Sequence, residues 1–193
     1  MAHADEVVFL WLNGWVGTSA IFDGIIRWLV SDYLVPAGMA LTLLALWFVG
    51  VDGAARMKHQ VGVLVALTAM GLASWVVFIS NDLYFRPRPF IDHDVSLLFY
   101  QPTDSSFPSN PAAASFAIAA AVWGVNRRVG AVLFLGAGSY GFARVYAGVH
   151  YPADVLVAAL IGIVVAYLVF KLRGLLEPLP TMVIKAARIL CLA

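Results

Sequence analysis

Residues 61–80 form a run of twenty residues without a charged side chain. A helix of that length is long enough to cross about 30 Å of hydrocarbon, and a run this apolar is typical of a transmembrane helix. The rest of the chain has the same character, because 62% of its 193 residues are hydrophobic and only 12% are charged. We therefore predict an integral membrane protein rather than a soluble domain.

Further apolar segments predict a bundle of membrane helices. They cover residues 34–51, 110–125, 129–147 and 153–171. No internal repeat, low-complexity tract or domain boundary interrupts them. We therefore predict that residues 1–193 form one all-α domain, a polytopic membrane helical bundle with five to six transmembrane helices.

The two ends of the chain are less regular. Residues 5–32 contain glycine-rich breaks after Asn13 and at Gly17, which predicts two short helices that are interfacial or tilted. In the second of these, Asp23 and Arg27 are one helical turn apart and are expected to form an ion pair. The C-terminal tail is expected to lie on the membrane surface. It contains Pro178, Pro180, Lys185 and Arg188.

Charge and cysteine content exclude several other classes of protein. The net charge is +1 and no face is strongly basic, so we expect no nucleic-acid partner. The single cysteine, Cys191, excludes an internal disulfide and a cysteine-ligated metal site, and is expected to be an apolar filler or a surface thiol. The first six residues include acids and no lysine or arginine, so we expect insertion through the spans and not through a cleavable signal peptide.

The distribution of basic residues predicts the orientation of the bundle. If the spans alternate, residues 52–60, residues 126–128 and the tail share one side of the membrane. They hold eight of the twelve basic residues: Arg56, Lys58, Arg127, Arg128, Lys171, Arg173, Lys185 and Arg188. By the positive-inside rule this side is cytoplasmic and includes the C-terminus. The polar segment after residue 80 and His150 then lie on the extracytoplasmic side.

Three charged or titratable residues, Arg144, His150 and Asp154, fall within eleven positions at the edge of an apolar run. Such groups near a membrane pair with one another or bind a ligand. Pro152 suits the first turn of a helix and places Asp154 in that turn. Its carboxylate can accept a hydrogen bond from one ring nitrogen of His150, leaving the other nitrogen as a base or nucleophile, while Arg144 offers donors suited to phosphate. A buried ion-pair cluster that joins two helices is the structural alternative.

Two further polar clusters lie on the same side. Arg86 and Arg88 alternate with prolines, which prevents a helix and holds both arginines extended. Snorkelling of either side chain to the interface is the alternative. Asn110 is then expected to cap a helix whose first residue is Pro111, so that free N–H groups and the Ser109 hydroxyl form an anion site. Simple helix capping also explains this second cluster.

In chain order, the stretches RPRP, FPS and R-x5-H-x3-D resemble the K-x6-RP, PS-x-H and SR-x5-H-x3-D motifs of the type 2 phosphatidic acid phosphatase (PAP2) superfamily. The small size and the YFRPRPF and SFPSN stretches are most similar to the bacterial undecaprenyl-diphosphate phosphatases of that superfamily. The resemblance implies that His150 is a nucleophile that forms a phosphohistidine and that Asp154 orients it. It also implies that Arg88, Arg144 and Ser109 bind phosphate, without a metal or other cofactor.

Three positions depart from the family pattern. Asn81 stands where the family has lysine, Pro111 replaces the histidine that protonates the leaving group, and Ala143 replaces a serine. A positioned general acid supplies about 10²- to 10⁴-fold, so hydrolysis of an alkyl phosphate should suffer. A diphosphate instead releases a stable phosphate monoester, which positive charge from Arg86 or Arg88 is expected to stabilise.

The sequence therefore favours a phosphatase that removes the terminal phosphate of a polyprenyl diphosphate at the outer face of a bacterial inner membrane. His93 or a water is a candidate substitute acid, although an exposed loop histidine is the simpler interpretation. The alternative function is a degenerate member that binds a lipid phosphate or serves as a subunit of a larger membrane complex. The expected partners are polyprenyl diphosphate or another lipid phosphate and membrane lipids, with a membrane protein or a second copy as further candidates.

Overall fold

The computed structural model describes residues 2–176 and 179–189, and these contain helices and no β-strand. The helices are α1 (Ala2–Asn13), α2 (Ala20–Val30), α3 (Leu34–Phe48), α4 (Gly53–Leu83), α5 (Pro89–Asp92), α6 (Asn110–Trp123), α7 (Arg127–Tyr146), α8 (Pro152–Leu172), a 3-10 turn (Arg173–Leu176) and α9 (Leu179–Ile189). The all-α prediction is confirmed. The predictions for Pro178 and Cys191 fall outside the described residues.

Membrane spans can be assigned from helix length and composition. In the described part of the chain, α4, α7 and α8 are each long and apolar enough to cross a bilayer. A fourth span forms if α2 and α3 are taken together, although they are bent by 51° at the break between them. Helix α6 is apolar but has only 14 residues, or about 21 Å of helix. By length and composition the described residues thus give three to four spans, fewer than the predicted five to six, and five is reached only if the shorter α6 is also counted.

Helix α6 lies at the centre of the bundle, against α4, α7 and α8. Its buried face is rich in alanine and includes Ala112, Ala113 and Ala117. Gly162 of α8 lies so close to this face that a Cβ atom there would be 2.4 Å from the carbonyl oxygen of Ala113. Small residues permit such close backbone approach between membrane helices. Where the two helices begin, the Ser109 N–H donates to the Asp154 carbonyl oxygen at 3.2 Å, so their first turns also lie close together.

The N-terminal helices α1 and α2 pack against α7. Phe9 is fully buried, and its ring meets the Tyr151 ring edge-on with centroids 5.3 Å apart. The Asn13 amide donates to the carbonyl oxygens of Ser96 and Tyr146, and accepts from the Ser96 N–H. The prediction of two short helices in this region is confirmed, and α1 is a packed part of the bundle.

The predicted Asp23–Arg27 ion pair is wrong. Asp23 is buried and accepts hydrogen bonds from the Gly17 N–H at 2.8 Å and the Tyr146 hydroxyl at 2.9 Å. Helix α2 turns Asp23 and Ile26 inward against α7, whereas Arg27 is exposed. The carboxylate therefore finds its partners inside the bundle.

The tail helix α9 lies against the bundle. It contacts α4 and fully buries Ile184. The sequence predicted a surface location on the membrane from the polar residues of the tail. Ile184 packs on protein, whereas Met182, Val183 and Ile189 are at least half exposed, so the predicted location on the membrane surface stays a prediction.

Candidate active site

The predicted site residues meet where α6 and α8 begin. Arg88, Ser109, Arg144, His150 and Asp154 are all buried there, with at most 4% of each residue exposed. They come from the extended segment after α4, the start of α6, the end of α7 and the start of α8. The tight α6–α8 packing therefore brings together groups that are far apart in sequence.

A sharp turn before α8 presents His150. Gly148 has φ +89°, in the left-handed region that favours glycine. A Cβ atom there would also lie 3.1 Å from the side chain of Leu97. The turn points the Val149 carbonyl at Arg88, whose Nη1 donates to it at 2.9 Å.

The two ring nitrogens of His150 have different partners. Nδ1 lies 2.9 Å from the carbonyl oxygen of Ser106. A carbonyl can only accept, so Nδ1 carries the hydrogen and Nε2 keeps its lone pair. Nε2 faces two donors, Arg88 Nη1 and Ser109 Oγ, each at 3.3 Å. This is the arrangement that a nitrogen nucleophile beside an anion site requires.

Burial lowers the pKa of His150 below its ordinary value of 6.5. The Asp154 carboxylate opposes this change, whereas the positive charges of Arg88 and Arg144 add to it. The imidazole is therefore neutral at neutral pH. Only the neutral ring has a lone pair with which to attack phosphorus.

Asp154 is close to His150 but does not make the expected hydrogen bond. Its Oδ2 lies 3.8 Å from Nδ1, which is an ion-pair distance and too long for a hydrogen bond. Oδ2 instead accepts from the Ser106 hydroxyl and, at 2.9 Å, from the Tyr151 N–H. The Ser106 carbonyl takes the place at Nδ1 that the sequence assigned to the carboxylate. Asp154 thus acts on the ring through its charge.

Ser109 occupies the N-cap position of α6, one residue earlier than the predicted cap at Asn110. The prediction that Asn110 is the cap is therefore wrong, because the helix already begins at that residue. The Ser109 side chain makes no capping hydrogen bond, so its hydroxyl is available to His150. Pro111 lies within the first turn, as predicted.

Arg88 is anchored on its far side by Asp104. Nε donates to the Asp104 carbonyl at 3.0 Å, and Nη2 pairs with the Asp104 carboxylate at 2.8 Å. Burial lowers the pKa of Arg88, and Asp104 opposes that effect. Arginine stays charged in either case. The anchored fork directs Nη1 towards His150.

Arg144 approaches the same region from α7. Its Nη2 pairs with Asp32, in the α2–α3 break, at 3.1 Å. Its Nε and Nη1 are buried and have no hydrogen-bond partner. Such donors are costly to bury, so they mark a place where an anion would be stabilised.

Arg86 has different partners from those that the sequence suggested. Its Nη1 pairs with Asp154 at 2.6 Å and its Nη2 with Asp5 at 2.8 Å. Its guanidinium carbon lies 4.0 Å from the centre of the Tyr151 ring. The role of Arg86 as a substrate ligand stays a prediction, and both of its terminal nitrogens already bind carboxylates.

Sequence reasoning missed four contributors to the site: Asp5, Asp32, Asp104 and Ser106. The signal that could have found the three acids is a carboxylate in a largely apolar chain with no basic residue within one helical turn. No sequence signal points to Ser106, because its contact with Nδ1 of His150 is made by a main-chain carbonyl, which every residue has. His93 packs beside the rings of Phe9 and Tyr151, with centroids 6.4 and 6.2 Å away, and its role as a substitute acid stays a prediction.

Comparison with known proteins identifies the family. A profile of the PAP2 superfamily matches residues 62–177. The chain belongs to the PAP2 superfamily. It is a multi-pass membrane protein of this group of membrane lipid phosphatases.

Curated relatives of this PAP2 protein cover most of its length. It is 31% identical over 179 residues to undecaprenyl-diphosphatase BcrC of Bacillus subtilis (strain 168). This alignment covers 92% of this chain and 89% of that relative. It is 29% identical over 156 residues to the putative undecaprenyl-diphosphatase YbjG of Escherichia coli (strain K12), covering 76% of each chain.

Solved structures share the fold. Aquifex aeolicus LpxE superimposes with a TM-score of 0.64 at 31% identity, over 85% of this chain and 93% of that one. A PAP2-type phosphatidylglycerolphosphate phosphatase from Bacillus subtilis gives the same TM-score of 0.64 at 19% identity, over 92% of this chain and 88% of that one.

Proposed function

We propose that this PAP2 protein hydrolyses a polyprenyl diphosphate, such as undecaprenyl diphosphate, to the monophosphate through a phosphohistidine at His150. The observation that carries the proposal is the state of the imidazole. Its Nδ1 is committed to the Ser106 carbonyl, and its Nε2 faces the donors of Arg88 and Ser109. A terminal phosphate that contacts those donors would place its phosphorus beside the Nε2 lone pair.

In the first step, Nε2 of His150 attacks the terminal phosphorus and the bond to the bridging oxygen breaks. The electron pair stays on that oxygen, so the lipid leaves as its monophosphate dianion and needs no proton. The phosphorylated ring keeps its Nδ1 hydrogen and becomes positively charged. The Ser106 carbonyl and the Asp154 carboxylate, 2.9 and 3.8 Å from Nδ1, stabilise that charge.

In the second step, a water molecule attacks the phosphohistidine and the P–N bond breaks. Inorganic phosphate leaves with both hydrogens of the water, and neutral His150 is restored with its Nδ1 hydrogen. Arg88, Ser109 and the unpaired nitrogens of Arg144 are the groups that we assign to the phosphate oxygens in both steps.

An apolar groove beside the site suits a lipid chain. It has a volume of about 680 Å³ and lies between α3, α4 and α6. Its lining includes Pro111, two positions from Ser109, and extends to Trp47. Two lining residues, Leu44 and Phe48, are more than half exposed on the outer surface of the bundle, where lipid would surround it. A polyprenyl chain could therefore enter the groove from the bilayer.

The departure at Pro111 supports a diphosphate over an alkyl phosphate. An alkoxide leaving group needs a proton, which proline cannot give. A phosphate monoester leaves without one. The names of two relatives, undecaprenyl-diphosphatase BcrC and putative undecaprenyl-diphosphatase YbjG, point to the same substrate class.

We assign the protein to a bacterial inner membrane, with the site on the extracytoplasmic face and the C-terminus in the cytoplasm. Support comes from the eight basic residues on the other side of the predicted topology. Labelling of a cysteine introduced at exposed Gln101 with a membrane-impermeant thiol reagent in intact cells tests the assignment.

Phosphate release by the purified protein tests the proposed function. Undecaprenyl diphosphate, undecaprenyl phosphate and phosphatidic acid are supplied separately in detergent micelles. We expect the diphosphate to be hydrolysed fastest. Binding of these lipids without release of phosphate from any of them would instead identify a degenerate, lipid-binding member of the family.

Replacing Pro111 with histidine should broaden the substrate range. A histidine there restores an acid beside the leaving group and is expected to raise kcat/KM for lipid monophosphates by about 10-fold or more, within the range known for general acids. Hydrolysis of the diphosphate should change little. Pro111→Ala is the matched control, since it removes the proline without adding an acid. An equal gain on both substrates, or the same gain from alanine, would contradict the leaving-group explanation.

A further inference from the structure

Arg86 contacts both groups that face Nδ1 of His150. Its side chain holds the Asp154 carboxylate at 2.6 Å. Its main-chain carbonyl accepts from the Ser106 N–H at 2.9 Å, and the Ser106 carbonyl in turn accepts from Nδ1. One residue thus fixes the carboxylate and the carbonyl that set the orientation and charge of the imidazole.

Asp5 completes this arrangement from a distant part of the chain. Its two carboxylate oxygens accept from Arg86 Nη2 and from the Ala153 N–H, each at 2.8 Å. Its side chain is only 9% exposed. Asp5 therefore ties α1 both to Arg86 and to the first turn of α8, which carries Asp154.

We propose that Arg86 and Asp5 are positioning residues that set the orientation and basicity of His150 through Asp154 and Ser106. The proposal rests on the proposed function in one respect, that His150 is the group whose reactivity matters. It assigns Arg86 a role distinct from phosphate binding, because both terminal nitrogens of Arg86 are held by carboxylates.

The charges along this chain of contacts alternate, which gives the two residues opposite effects. Burial acts against the charged form of Arg86, but Asp5 and Asp154 outweigh it and raise the pKa of Arg86, so its charge is secure. Removing that charge leaves Asp154 free to stabilise protonated His150. Removing the charge of Asp5 lets Arg86 pair more strongly with Asp154, which then stabilises protonated His150 less.

The other charged groups around His150 are the same in the wild-type protein and in the variants of Arg86 and Asp5. Arg88 reaches it from the segment after α4, Arg144 from α7 and Asp154 from α8. Behind them, Asp104 pairs with Arg88 and Asp32 pairs with Arg144. None of these changes in the variants that test the proposal.

The test measures the pKa of His150 in the full-length protein. Histidine side chains are labelled with ¹⁵N, and the His150 signal is identified by its loss in His150→Ala. Arg86→Gln should raise the pKa of His150 and Asp5→Asn should lower it. Asp5→Asn keeps an acceptor oxygen for the Ala153 N–H, so the fold is expected to persist. Glu6→Gln, which removes the same charge one residue along α1, should leave the pKa in place.

Kinetics supply a second readout. Misplacement of a reacting group by about 1 Å can cost about 10²-fold, so we expect Arg86→Gln to lower kcat by about 10- to 100-fold with little change in KM. Arg86→Lys should restore part of kcat. The acid limb of the pH–rate profile should move in the same direction as the pKa of His150 in each variant.

Two results would overturn the proposal. One is a pKa of His150 that shifts in the same direction in Arg86→Gln and Asp5→Asn, or in neither. The other is a large rise in KM with unchanged kcat in Arg86→Gln, which would make Arg86 a phosphate ligand. If the wild-type protein releases no phosphate, the proposed function fails, while opposite shifts in the titration still support the positioning role.

Discussion

Replacing His150 with alanine is expected to abolish phosphate release from undecaprenyl diphosphate. Removal of one member of a covalent catalytic unit costs about 10⁴-fold or more, and no other described side chain presents a nitrogen lone pair to both Arg88 and Ser109. The initial rate of phosphate release by purified protein measures the loss. Because His150 also bonds the Ser106 carbonyl, thermal stability in detergent must be measured in parallel.

His59→Ala is the matched control for this experiment. His59 lies near the start of α4, and its Nδ1 contacts the Val49 carbonyl at 2.8 Å. That end of α4 is a full helix length from the site, so activity should be retained. A His150→Ala protein that is folded and still active would exclude His150 as the nucleophile.

Replacing Arg88 with glutamine should produce the second-largest loss. The guanidinium lies next to Nε2 of His150 and supplies positive charge where the transferred phosphate would lie. Removal of one such donor costs about 10²- to 10³-fold in kcat. Arg88→Lys should recover only a small part, since an ammonium cannot hold Asp104 and the Val149 carbonyl in the same geometry.

Arg27→Gln is the control for Arg88→Gln. It removes the same charge from an exposed position of α2. We expect its activity to match that of the wild-type protein. Equal losses in both variants would mean that overall charge, and not a local contact with phosphate, accounts for the effect.

The helices were predictable because a long, continuous apolar segment reports a membrane span, even where its side chains face outward and not into the protein core. The uncharged run 61–80 lies inside α4, and Pro152 begins α8 as its fixed φ suggests. Motif order also placed His150, Ser109 and Arg88 correctly in one group. The helix predictions depend on residues that are close in sequence, whereas the grouping of these three residues depends on the family resemblance.

The partners of the charged groups could not be predicted in the same way. Arg86 and Asp5 are 81 positions apart, and Arg144 and Asp32 are 112 apart. Which carboxylate meets which guanidinium depends on the packing of α1 and α2 against α7. Hydropathy does not predict that packing. Asp23 shows the same effect. Local spacing favoured an ion pair with Arg27, but in the packed bundle Asp23 accepts a hydrogen bond from the Tyr146 hydroxyl.

Trapping of the covalent intermediate tests the central claim most directly. Wild-type protein is mixed with undecaprenyl diphosphate that carries ³²P in its terminal phosphate, quenched in alkali within the first turnover and digested for peptide mapping. We predict an acid-labile, alkali-stable label on the peptide that contains His150, and no label in His150→Ala. Steady release of labelled phosphate from protein that never acquires the label, or a label on another residue, would contradict the account.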